Sequence, residues 1–158
     1  MILFDYGQTL ITEEKFDGVR GTKAVLQYAV KNKYHLSAEQ VQVKADEINR
    51  EFGRFDPGKS HLFQIEIPNA IFTSYLYESQ GIEIALSKSE IDTIFWNAAA
   101  PGIPTEGIED FLRYLKNKGI RTGVISNISY DSLVVAERIN QLLPENIFEF
   151  IITSSNFM

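Results

Sequence analysis

Ile2-Leu3-Phe4-Asp5-Tyr6-Gly7-Gln8-Thr9-Leu10 is the stretch on which the fold turns. Three apolar residues in a row are too few for a helix and suit a strand buried on both faces. The run ends in a carboxylate, which is costly to bury without partners. A glycine loop follows. The chain thus leaves a core strand and delivers an acid to its carboxyl end, where open α/β sheets keep their functional crevice.

Further along, the pattern is helical. Val19, Ala24, Val25, Tyr28 and Ala29 recur at helical steps. Ser37 with Gln40 and Ser87 with Glu90 each match a capping box ahead of an apolar stripe. Between them, 54–60 with Pro57-Gly58 reads as a turn, and 65–80 reads as an aromatic-rich helix that stops at Gly81. Four such helices make 14–97 an all-helical unit. At Ala100-Pro101-Gly102 the pattern changes to a helix over 106–118, a strand over 120–125, a helix through Val134, Val135, Ile139 and Leu142, and a strand over 148–152. Gly119 supplies a helix stop, and the charge order within 106–118 suits the helix dipole. Strand alternating with helix predicts an α/β fold with a parallel sheet. The expected domains are an α/β core of 1–13 and 98–158 and a helical cap of 14–97.

Composition narrows the function. The 158 residues are 44% hydrophobic and 23% charged, and they carry a net charge of −6. A chain of this size buries roughly 70% of its unfolded surface and needs no staple. The absence of cysteine removes disulfides, thiolate metal sites and a cysteine nucleophile; two histidines, His35 and His61, are too few for a histidine-rich metal site. The acidic balance argues against nucleic acid as a partner. No apolar run is long enough to span a bilayer and no secretory pattern opens the chain, so the expected location is the cytoplasm, off the membrane.

Asp5 ends the first strand and Ser126-Asn127 ends the second, so neighbouring strands would bring carboxylate, hydroxyl and amide into one crevice. Loop amides and a helix N-terminus there favour an anion, and a cation such as Mg²⁺ reconciles that anion with the carboxylate. Phosphoryl chemistry with Asp5 as nucleophile fits.

Ile2 to Leu10, an apolar strand followed by Asp, loop residues, Thr and Leu, resembles the first motif of the haloacid dehalogenase (HAD) superfamily, and Gly123-Val124-Ile125-Ser126-Asn127 resembles its second. The helical insertion is similar to that superfamily's cap, and Pro101-Gly102-Ile103 resembles the return to the core. The resemblance implies a HAD-type, Rossmann-like core with an inserted helical cap. It implies Asp5 as nucleophile and Mg²⁺ ligand, Gly7 offering a backbone carbonyl to the metal, and Ser126, Asn127 and Thr9 at the phosphate of a small phosphorylated substrate. Two departures stand out. Position 7, where family phosphatases carry an acid for the leaving group, is glycine; Asp131, Glu13 or a water is the expected substitute. The chain also stops before the family's Lys and acidic motifs. The expectation is a truncated piece with an incomplete sheet whose free edge invites self-association, with weak or absent catalysis. A non-catalytic binding module and a dehalogenase-type hydrolase are the alternatives.

Overall fold

A computed structural model describes residues 1–53 and 67–157. The predicted turn at 54–60, His61 and the start of the helix at 65 lie outside the described residues. The core sheet is three-stranded and parallel, in the order β1 (Ile2–Phe4), β6 (Thr122–Ser126), β7 (Phe148–Thr153). β1 pairs with β6 in the register Ile2 with Thr122 and Phe4 with Val124, which brings the carboxyl ends of the two strands together. Helices α5 (Ile108–Asn117) and α6 (Ser132–Leu142) supply Leu112, Leu115, Val134, Val135 and Ile139 to one cluster with Phe4, Leu10 and Val124. Gly119 adopts φ 65°, and the Ile120 amide closes the end of α5 onto the Leu115 carbonyl at 3.0 Å, the bond expected of a Schellman stop.

The insertion leaves and rejoins the core through an antiparallel ribbon of β2 (Ile11–Glu13) and β5 (Gly102–Pro104), with Glu13 opposite Gly102. Neither strand was expected; at three residues each, neither is long enough to show a period. Between them α1 (Gly18–Leu26), α2 (Ala38–Glu51), α3 (Asn69–Ser79) and α4 (Lys88–Ala99) enclose a second cluster of Val25, Val41, Ala45, Ile48, Leu76 and Tyr77. Both capping boxes form, at Ser37 with Gln40 and at Ser87 with Glu90. Gly21 permits close packing of α1 on α4, since a Cβ there would lie 2.8 Å from the Phe95 ring.

The cap is not all-helical, which corrects the expectation. β3 (Ala29–Asn32) pairs antiparallel with β4 (Ile82–Ile84) across a bulge, and α1 ends at Leu26, before Ala29. Gly81, at φ 64°, turns the chain into β4. The misreading has a physical source: Tyr28 and Ala29 continue the helical spacing of Val25, and only the distant partner makes that segment extended. Trp96, although it lies on α4 of the insertion, joins the α/β cluster, and Tyr75 is exposed.

Asp92 on α4 is almost fully buried, and Asn69 Nδ2 donates to its Oδ1 at 2.7 Å. Burial pushes its carboxyl up to about 6, against the opposing pull of the Asn69 and Thr73 hydrogen bonds. The folded protein therefore holds a proton that the unfolded chain has already released. Stability is gained below the ordinary carboxyl range and lost as pH climbs through about 6. Asp92→Asn keeps an acceptor for Asn69 and removes this penalty. Urea denaturation should show the variant more stable by about 2 kcal/mol at pH 8 and equal to the parent at pH 4.

Candidate active site

The site begins where β1 runs out. Asp5 follows the last β1 residue, and the chain turns back at once: the Leu10 amide reaches the Tyr6 carbonyl at 3.0 Å and the Gln8 amide reaches the Ile11 carbonyl at 2.8 Å. Gln8 takes φ 56° to make this turn. β6 ends beside it, and Ser126 Oγ donates to Asp5 Oδ1 at 2.7 Å. The Tyr6 amide donates to the same oxygen at 2.8 Å. Asp5 is exposed while Ser126 is buried, so the carboxylate is gripped from the sheet side and open on the other. Oδ2 carries no protein hydrogen bond among the described residues.

Asp5, Tyr6, Gly7, Glu13, Ser126 and Asn127 line a cleft of about 440 Å³. The sequence reading placed Asp5, Gly7, Ser126 and Asn127 together, and the structure brings all four to this cleft. Thr9 is exposed on the turn and does not line it. Of the residues considered as replacements for the missing acid, Asp131 is committed elsewhere: it caps α6 through the Leu133 amide at 2.8 Å and accepts from Asn156 at 2.9 Å. Glu13 does line the cleft. Its Oε1 accepts from the Tyr6 phenol at 3.2 Å and from Arg138 Nη2 at 3.0 Å.

Arg138 is the residue the sequence reading missed. It is 2% exposed, and its Nε donates to the Tyr6 phenol at 2.6 Å. It also donates to Asn97 Oδ1 and to the Ala100 carbonyl, and its guanidinium lies 4.5 Å from the centre of the Trp96 ring. Trp96 in turn stacks on Tyr130 at 4.2 Å. Burial drives the Tyr6 phenol far above its ordinary value, with the Arg138 charge opposing, so Tyr6 stays a donor to Glu13. The signal was present in the sequence: Arg138 stands four residues after Val134 and three after Val135, inside the buried stripe of α6.

The chain matches the haloacid dehalogenase-like hydrolase family over residues 1–157. It belongs to that family. No curated protein matches it. Among solved structures it is similar to a haloacid dehalogenase-like hydrolase from Bacteroides fragilis, at 20% identity and a TM-score of 0.43, covering 98% of this chain and 62% of that one. It is also similar to a protein named a phosphoglycolate phosphatase from Lactobacillus delbrueckii subsp. bulgaricus, at 17% identity and a TM-score of 0.37, covering 96% of this chain and 63% of that one. This HAD-like chain thus spans less than two thirds of the length of either. Among its described residues no helix is long and apolar enough to cross a membrane, and no group of three His, Cys, Asp or Glu side chains is placed to hold a metal.

Proposed function

We propose that this HAD-like hydrolase is a phosphatase that cleaves a small phosphate monoester through an aspartyl-phosphate on Asp5. The observation that carries the reading is the Asp5 carboxylate at the mouth of the sheet, with one oxygen held by Ser126 and the Tyr6 amide and the other without a hydrogen-bond partner among the described residues. Asp5 Oδ2 attacks phosphorus as the ester P–O bond breaks, and the alcohol departs with the electron pair and takes up a proton. Water then cleaves the acyl phosphate, releasing inorganic phosphate and restoring the carboxylate. Ser126 and Asn127 face the transferred group from the end of β6.

The oxygens near the cleft suit Mg²⁺, which binds through one or two carboxylates and keeps waters and phosphate as its remaining ligands. The Asp5 carboxylate and the Gly7 carbonyl would hold it, and when bound it neutralises charge between nucleophile and phosphate. A non-catalytic binding module is the second reading. It is favoured by Gly7, which leaves no proton donor two positions after Asp5.

The full-length gene product should release phosphate from an aryl phosphate with Mg²⁺ and lose that activity in excess EDTA. Beryllofluoride, a phosphoryl mimic, should form an adduct at Asp5. Adduct formation without turnover on any phosphate monoester would favour the binding module, and the absence of both adduct and turnover would end the phosphatase reading.

A further inference from the structure

The inserted segment is tied to the core at two linkers, and both converge on one buried side chain. The first linker begins at Glu13, the last residue of β2; the second begins in the last turn of α4 with Asn97 and runs through Ala100. The linkers also bond to each other, the Glu14 amide to the Pro101 carbonyl at 2.9 Å and the Asp17 amide to the Ala99 carbonyl at 2.8 Å. Arg138 belongs to neither. It rises from α6 of the core and donates to Glu13 on one side and to Asn97 and the Ala100 carbonyl on the other. A third arm, Nε, holds the phenol of Tyr6, the residue directly after Asp5. The planar fork suits this task, because a guanidinium offers five donors in fixed directions. The packing around it is close: a Cβ at Gly102 would stand 2.6 Å from the Ile11 side chain and 3.1 Å from Nη2.

We infer that Arg138 is a positioning residue that pins both cap linkers and the phenol of Tyr6, the residue beside Asp5, to one point, so that the base of the cap and the nucleophile hold a fixed relation. Any motion of the cap then occurs beyond Glu13 and Asn97, and the residues around Asp5 do not follow it. The anchoring itself is independent of the reaction; only its effect on turnover rests on the phosphatase reading.

Trp96 is the chain's sole tryptophan and reports the network directly. In this chain, Arg138→Met with unchanged far-UV circular dichroism should raise acrylamide quenching of Trp96. It should also speed amide exchange at Glu14 and Asp17 by about tenfold or more. Arg138→Lys should restore this only in part, since one ammonium cannot serve both linkers with the geometry of a fork. Folded Arg138→Met with parental quenching and exchange would overturn the proposal. Should Arg138→Met fail to fold, Glu13→Gln and Asn97→Ala take its place, one partner from each linker. Their effects on Trp96 quenching should be coupled in the double variant, because both act through one guanidinium; strictly additive effects would overturn the pin. In Arg138→Met, kcat per beryllofluoride-titrated site should fall about tenfold, whereas a loss of stability alone would lower the number of sites and leave kcat per site unchanged. If the parent binds no beryllofluoride, the phosphatase reading fails while quenching and exchange still decide the pin.

Discussion

On the proposed aspartyl-phosphate route, Asp5→Asn should cut phosphate release at least about 10³-fold, since an amide oxygen is a poor nucleophile and cannot form the acyl phosphate. The substitution is nearly isosteric. The amide oxygen still accepts from Ser126 Oγ and the Tyr6 amide at the position of Oδ1, so the fold should be untouched. Steady-state phosphate release, paired with a thermal melt matching the parent, is the measurement. Equal turnover in the parent and Asp5→Asn would show that another group attacks phosphorus. Ser126→Ala is a milder companion: it frees one carboxylate lone pair and deletes a hydroxyl from the cleft, without touching the nucleophile.

The second large effect is a gain. Gly7→Asp should raise kcat by about 10²-fold or more on substrates with poorly acidic alcohols, because a positioned general acid contributes about 10²–10⁴-fold. Space permits it, since a Cβ built at Gly7 meets no atom within 4 Å. Gly7 is also not among the glycines with positive φ, so a side chain costs no backbone strain there. The increase should shrink toward unity on aryl phosphates with acidic leaving groups, which depart without a proton. A plot of log kcat against leaving-group pKa tests this: the slope should be steep in the parent and shallow in the variant. An identical slope in both would mean that the acid is supplied elsewhere, with Glu13, already in the cleft, the first residue to replace.

The sheet and the ends of its strands were legible because they rest on short-range signals. Ile2 to Phe4 and Gly123 to Ile125 are unbroken apolar runs that end in polar residues, and parallel pairing brings those polar ends together. The capping boxes at Ser37 and Ser87 are equally local, and both form. What escaped was nonlocal. β3 and β4 exist only because Ala29 to Asn32 meets Ile82 to Ile84, far along the chain, and no window over either segment contains the other. β2 and β5 fail for the same reason. Arg138 was lost differently. An arginine in an amphipathic helix is ordinarily solvated, and only its placement on the Val134 and Val135 face argues for burial. Thr9 was drawn to the site by resemblance, whereas the turn holding it is closed by backbone bonds of its neighbours and leaves it outside the cleft.

The ribbon of β2 and β5 has a consequence for how such a molecule is modified. Glu13 and Gly102 sit opposite each other, so everything threaded between them departs and returns at the same doorway. A short turn joining those two positions would convert the ribbon into a hairpin and excise the insertion between them. Arg138 would lose Asn97 and the Ala100 carbonyl while keeping Glu13 and Tyr6, and the α/β cluster would lose Trp96 from against Tyr6 and Tyr130. A minimal version of this protein without the insertion would have to supply new acceptors for that arginine and an apolar cover for Tyr6 and Tyr130 in place of Trp96, and a transplanted insertion would have to bring its own.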